Sequence, residues 1–169
     1  KAWLPTIDEL IASGDLRINW DYRNGGAPGS CGTHTHVGLL DLLTVRTMGA
    51  VRRYFRELFT PLCEAMLREP EKVERVFGRS FVDYAEPLNS WSSWDTHSTF
   101  INLQHDNTLE WRICVYRNAA QYSHCVDVVE AFSDKVFAFC DGCLSRSDEE
   151  NLKAAKKAAK QIVKVWEKA

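Results

Sequence analysis

Two pairs of residues in this 169-residue chain have the types and the spacing to do chemistry. CGTHTHVG, residues 31–38, sets His34 and His36 one residue apart, and TLEWRICV, residues 108–115, does the same for Glu110 and Arg112. In a β-strand, residues i and i+2 share a face, so each pair presents both polar groups to one side. Imidazoles and a carboxylate are ligands for a divalent cation, and a guanidinium is a planar fork matched to a phosphate or a carboxylate. Together they suit nucleotide or phosphoryl-transfer chemistry. Each pair also has a plain structural reading, ordinary strand histidines in one and a same-face ion pair in the other.

The elements that must position these groups follow from hydrophobic period. LRINWDY alternates Leu16, Ile18, Trp20 and Tyr22 against Arg17, Asn19 and Asp21, which predicts a half-buried strand. Asn24 to Ser30, with its glycines and Pro28, is a turn-rich loop, so CGTHTHVG is expected to be the return strand of a hairpin. In THSTFINLQHDNTLEWRICVY, Leu109, Trp111, Ile113 and Val115 alternate with Thr108, Glu110, Arg112 and Cys114, while Ile101 and Leu103 alternate with Phe100, Asn102 and Gln104. Opposed residues of an antiparallel pair share a face, so register follows from keeping apolar opposite apolar. A three-residue loop, His105, Asp106 and Asn107, pairs Leu103 with Leu109 and Ile101 with Trp111, and sets Asn102 opposite Glu110. A two-residue loop, Asp106-Asn107, would oppose Leu103 to Glu110 instead. The expected sheet has one face against helices and one polar face carrying His34, His36, Asn102, Glu110 and Arg112.

The helices are predicted in the same way. Thr6 and Glu9 resemble a capping box before a two-turn helix ending at Gly14. Asp41 to Phe59 carries an apolar stripe at helical spacing, and Pro61 can open a second helix running to about Leu67, followed by the polar stretch REPEKVERVFGR. Residues 78–97 show no period, and NSWSSWDTH, with Trp91 and Trp94, is expected as a loop. Helix resumes over Tyr122 to Phe139, and again after Ser147, where Glu150 completes a capping box and Leu152, Ala155, Ala159, Ile162 and Trp166 share a face.

Composition bounds the rest. The length suits one domain, and 21 basic against 23 acidic residues give a formal net charge of −2, which supplies no general field for nucleic acid or an anionic membrane. No window is apolar enough for a membrane span, and KAWLPTIDEL lacks the core of a signal peptide, so a soluble, cytoplasmic chain is expected. The six cysteines are expected as thiols. Cys140-Asp-Gly-Cys143 has CxxC spacing and, with His34 and His36 or with Cys31, would suit zinc; alternatively Asp141-Gly142 ends a helix with Cys140 buried on it. Strict alternation sets Cys31 with Thr33 and Thr35, off the histidine face.

CGTHTHVGL, a long helix, GRSFVDYAEPL, and STFINLQHDNTLEWRICVYRNAAQY before an apolar helix, taken in order, resemble the amidoligase family related to glutamine synthetase and glutamate-cysteine ligase. The resemblance runs from about Leu4 to Phe139. It implies an α+β fold, with a curved, mainly antiparallel sheet backed by helices as in the glutamine synthetase catalytic domain, spanning residues 1–169 as one amidoligase-like domain. It also implies an ATP-dependent carboxylate-amine ligase that forms an amide through an acyl phosphate on an amino acid, a peptide or a protein side chain. ATP and Mg²⁺ (or Mn²⁺) are the implied cofactors. His34 and Glu110 would ligate the metal, His36 would lie beside the ATP phosphates, and Arg112 would stabilise the γ-phosphoryl group or the substrate carboxylate. Arg79 and Arg117 are further phosphate or substrate candidates, and Asn102 would orient the face. The superfamily's opening strand carries paired acids, G-x-E-x-E, and no such motif precedes CGTHTHVG; the strand is expected upstream of Lys1, making this chain the C-terminal portion of a longer catalytic domain. Supply of the acids by another chain, and a ligase fold kept for binding without activity, are the alternatives.

Overall fold

In the computed structural model, residues 9, 35–38, 45–81, 85–103, 108–114 and 119–169 are described. The alternation of TLEW makes the central strand of a three-stranded antiparallel sheet. Strand β1 (Thr35–Gly38) and β2 (Ile101–Asn102) flank β3 (Thr108–Trp111) in the order β1-β3-β2. The β2–β3 register is Ile101 opposite Trp111 and Asn102 opposite Glu110, the pairing that apolar matching predicts. The connecting residues 104–107 lie outside the described residues. On the other edge Thr35, His36, Val37 and Gly38 oppose Trp111, Glu110, Leu109 and Thr108. The histidine strand thus pairs with the Glu-Arg strand itself; its expected hairpin partner, LRINWDY, lies outside the described residues, as does the opening helix with its Thr6 cap, apart from Glu9.

Five helices accompany the sheet among the described residues: α1 (Val45–Arg53), α2 (Phe55–Leu67), α3 (Pro70–Phe77), α4 (Ala119–Cys140) and α5 (Asp148–Lys168). Trp111 sits at the centre of the core, edge-on to Phe59 of α2, with Phe100 and Phe132 of α4 tilted against it at 6.2 and 5.3 Å between ring centroids. Helix α5 packs on α2 and α4, and Trp166 stacks within 5° of parallel on Phe77 of α3. The molecule is therefore mixed α+β.

Two helical expectations are corrected. The helix expected over Asp41 to Phe59, whose residues 41–44 lie outside the described residues, breaks at Tyr54, and the next one starts at Phe55, leaving Pro61 as its seventh residue instead of in its first turn. Tyr54 leaves helical geometry (φ −105°, ψ 21°) where its hydroxyl donates to the Asp148 carbonyl at 3.1 Å and its ring meets Phe139 edge-on. Burial of Phe55, Leu58, Phe59 and Leu62 on one stripe carries the new helix past a proline that withholds a single N–H. The polar stretch after Arg68 also contains a helix, α3. Pro70 occupies its first turn, Val73, Val76 and Phe77 form its buried face, and Gly78 closes it in the left-handed region at φ 82°.

The last helix begins as predicted. Ser147 Oγ accepts the Glu150 N–H, and the Glu150 carboxylate accepts the Ser147 N–H at 2.8 Å. The Ser147 hydrogen bonds hold the Glu150 carboxyl below its ordinary range. Ser147→Ala is expected to destabilise the fold by about 1 kcal/mol, read as a lower midpoint in urea unfolding. Because the Glu150 value is lowered, the box contributes fully above the unfolded carboxylate range, and the difference between wild type and variant should shrink as pH falls below that range and through the lower folded-state value.

Candidate functional site

The site is a rung across the sheet. His36 and Asn102 both oppose Glu110, one from each side, so the three positions lie in line on one face. Arg112 follows Glu110 by two residues, and its N–H donates to the Phe100 carbonyl at 2.8 Å, extending the ladder one step past Trp111. Arg112 Nη1 donates to Glu110 Oε1 at 3.0 Å, with both side chains almost wholly buried, 4% and 1% exposed. The polar face is therefore an interior one, where an ion pair is desolvated and each member depends on the other. His34 and Arg117 lie outside the described residues, and His36 is described by its backbone register.

One further group reaches Arg112, and a second lies in its field. His97 Nε2 stands 3.4 Å from Arg112 Nη1. A guanidinium has no acceptor, so Nε2 accepts, and a neutral ring then carries its proton on Nδ1. Sequence reasoning missed His97, which sits in an aperiodic loop. That loop is fixed from afar: Arg56 Nη1 donates to the carbonyls of Asn89, Ser90 and Ser92 at 3.0, 3.0 and 3.2 Å, and the Leu103 N–H reaches the Trp94 carbonyl at 2.7 Å. Short side-chain turns tighten it further, with the Asn89 carboxamide accepting the Trp91 N–H and Thr96 Oγ1 accepting the Ser93 N–H. Trp94 lies under the Arg52 guanidinium at 4.4 Å, and Trp91 is exposed to solvent.

Arg79 is the second group. It follows the Gly78 cap of α3 and is half-buried, with Nε enclosed and making no hydrogen bond. Among the described residues no carboxylate forms an ion pair with it. Burial pushes its guanidinium below the ordinary arginine value; attraction to the Cys114 sulfur opposes this, and repulsion from Arg112 adds to it. Arg79 and Arg112, singled out separately in the sequence, thus feel each other's charge. Guanidiniums of this kind, fixed and largely out of water, are groups that an anion such as a phosphate or a carboxylate would engage.

The cation is less well served. Among the described residues no three of His, Cys, Asp and Glu gather as a metal-ligand set, and Glu110 Oε1 faces Arg112. The same holds at the CxxC: helix α4 ends at Cys140, Gly142 takes φ 74°, and both cysteines are buried against the protein, the arrangement of a helix terminus. Away from the sheet, a shallow depression of about 270 Å³ between α4 and α5 is lined by Lys135, Gln161, Lys164, Val165 and Lys168, none of them on the polar face. No helix among the described residues is long and apolar enough to cross a membrane. No family model, curated protein or solved structure matches the chain.

Proposed function

We propose that this chain is part of an ATP-dependent carboxylate-amine ligase with a glutamine synthetase-like catalytic sheet. The observation that carries the reading is the buried Arg112–Glu110 pair set in line with the His36–Glu110–Asn102 rung, with the half-buried Arg79 guanidinium in the electrostatic field of Arg112. Transfer of a γ-phosphoryl group to a carboxylate brings two anions together, and fixed guanidiniums in a desolvated site lower that barrier without reorganising. Arg79 would take the phosphates. Arg112, steered by Glu110, would take the transferring group or the substrate carboxylate, and Asn102 would orient the face. An amine then displaces phosphate from the acyl phosphate to give the amide. Mg²⁺ or Mn²⁺ belongs to this reading through His34 and Glu110; the described residues do not assemble its ligand set, so no step is assigned to it.

The burial of the Glu110–Arg112 pair favours a second reading, a ligase fold that binds an anionic ligand without turnover. Phosphate release separates the two. The chain, and a longer form carrying any acidic strand that precedes it, would be incubated with ATP, Mg²⁺ and a mixed pool of amino acids and peptides. The ligase reading expects phosphate only when a carboxylate and an amine are both present, at least from the longer form. Nucleotide binding with no phosphate release from either form would decide for the binding protein.

A further inference from the structure

We propose that Cys114 and Cys125 are a redox modification site, forming an intramolecular disulfide on reaction with a small peroxide and reopening with a dithiol. The two are 11 residues apart in sequence and belong to different elements, Cys114 just beyond β3 and Cys125 on α4. Both are wholly buried thiols, and Cys125 Sγ donates to Cys114 Sγ at 3.1 Å. A disulfide bond is about 2.05 Å long, so closure asks the sulfurs to approach by roughly 1 Å, within the reach of side-chain rotation in two elements already packed together. The Arg79 guanidinium is attracted to the Cys114 sulfur, which makes Cys114 the one of the pair where a thiolate's charge is answered. For Cys125 the hydrogen bond to Cys114 and then burial push the thiol up.

The chemistry balances with hydrogen peroxide as the oxidant. Cys114 attacks one peroxide oxygen, the O–O bond breaks, and the departing oxygen leaves as water, giving a sulfenic acid on Cys114. Cys125 Sγ then attacks that sulfur, the S–O bond breaks, and hydroxide leaves with the Cys125 proton as a second water. Two thiols and one peroxide yield one disulfide and two waters. Burial selects for an oxidant of that size, reaching the pair through local opening. The product ties α4 to the chain just beyond β3 and consumes the thiol of Cys114, which follows Arg112 by two residues, so the oxidation state is read next to the polar face. This assignment is independent of the ligase reading.

The test is peptide mapping of the wild-type chain. The folded protein would be treated with hydrogen peroxide, remaining thiols alkylated under denaturing conditions, and the digest analysed without reduction. A Cys114–Cys125 cross-linked peptide, 2 Da lighter than the sum of the reduced peptides and lost on treatment with dithiothreitol, is expected. Thermal unfolding of the oxidised chain should rise by roughly 5–10 °C, since closing a short loop restrains the unfolded chain. Cys125→Ala should lose both effects and Cys143→Ala should keep both. Cross-linking through Cys140 and Cys143 instead, or sulfinic acid on Cys114 with no cross-link in the wild type, would overturn the assignment.

Discussion

Glu110→Ala is expected to destabilise the fold by about 3–5 kcal/mol, the cost of breaking a buried ion pair by removing one member. The carboxylate is 1% exposed and answers a guanidinium that is 4% exposed, so the variant leaves the Arg112 charge in the interior without the group at 3.0 Å that balanced it. The size of the effect comes from desolvation of what remains rather than from any intrinsic strength of the pair. Hence Glu110→Met combined with Arg112→Leu, which removes both charges and keeps the volume, should recover most of the loss. Glu130→Ala, an exposed change on α4, should lie within about 0.5 kcal/mol of wild type. Urea unfolding of the four proteins measures all of this. A Glu110→Ala cost no larger than that of Glu130→Ala would mean that the pair does not order the face.

The register on which this rests was legible because alternation is a strong constraint. Apolar matching of Ile101 and Trp111 leaves one pairing for Asn102 and Glu110, and the strands adopt it. The capping box at Ser147 was equally legible, since both halves of the motif are local. What alternation cannot report is what covers a face: Asn102, Glu110 and Arg112 share a side, as their spacing requires, and all three are buried, which depends on the packing of segments distant in sequence. His97 was invisible for a related reason. Its approach to Arg112 depends on Arg56, 41 residues earlier, holding three carbonyls of an aperiodic loop. Helix α3 was in principle readable from Pro70, Gly78 and the spacing of Val73, Val76 and Phe77, but half of its eight residues are charged and the helical period shows over little more than two turns. The glutamine synthetase-like sheet stays a proposal, for which three antiparallel strands and a polar rung are the support.

Arg79 is where stability and binding should part. A half-buried guanidinium with an enclosed Nε, no ion-pair partner among the described residues and Arg112 nearby is held at a cost in the absence of a ligand. The sign follows from its lowered value: the fold disfavours the charged form, and arginine is charged at every usable pH, so the penalty is present throughout. Arg79→Met keeps a flexible apolar stem and removes the charge, so unfolding of the unliganded variant should occur at the same or higher urea concentration than in wild type. Its ATP-dependent phosphate release, or its affinity for ATP where there is no turnover, should fall about 100-fold, the order lost when one fixed donor to a developing anion is removed. Arg79→Lys should fall between the two, since an ammonium restores the charge without the planar fork. Calorimetric titration with ATP, run beside the urea curves, reads both quantities on the same protein. If Arg79→Met unfolds more easily and binds ATP as tightly as wild type, Arg79 is a packing residue and the anion site must be sought elsewhere on the molecule.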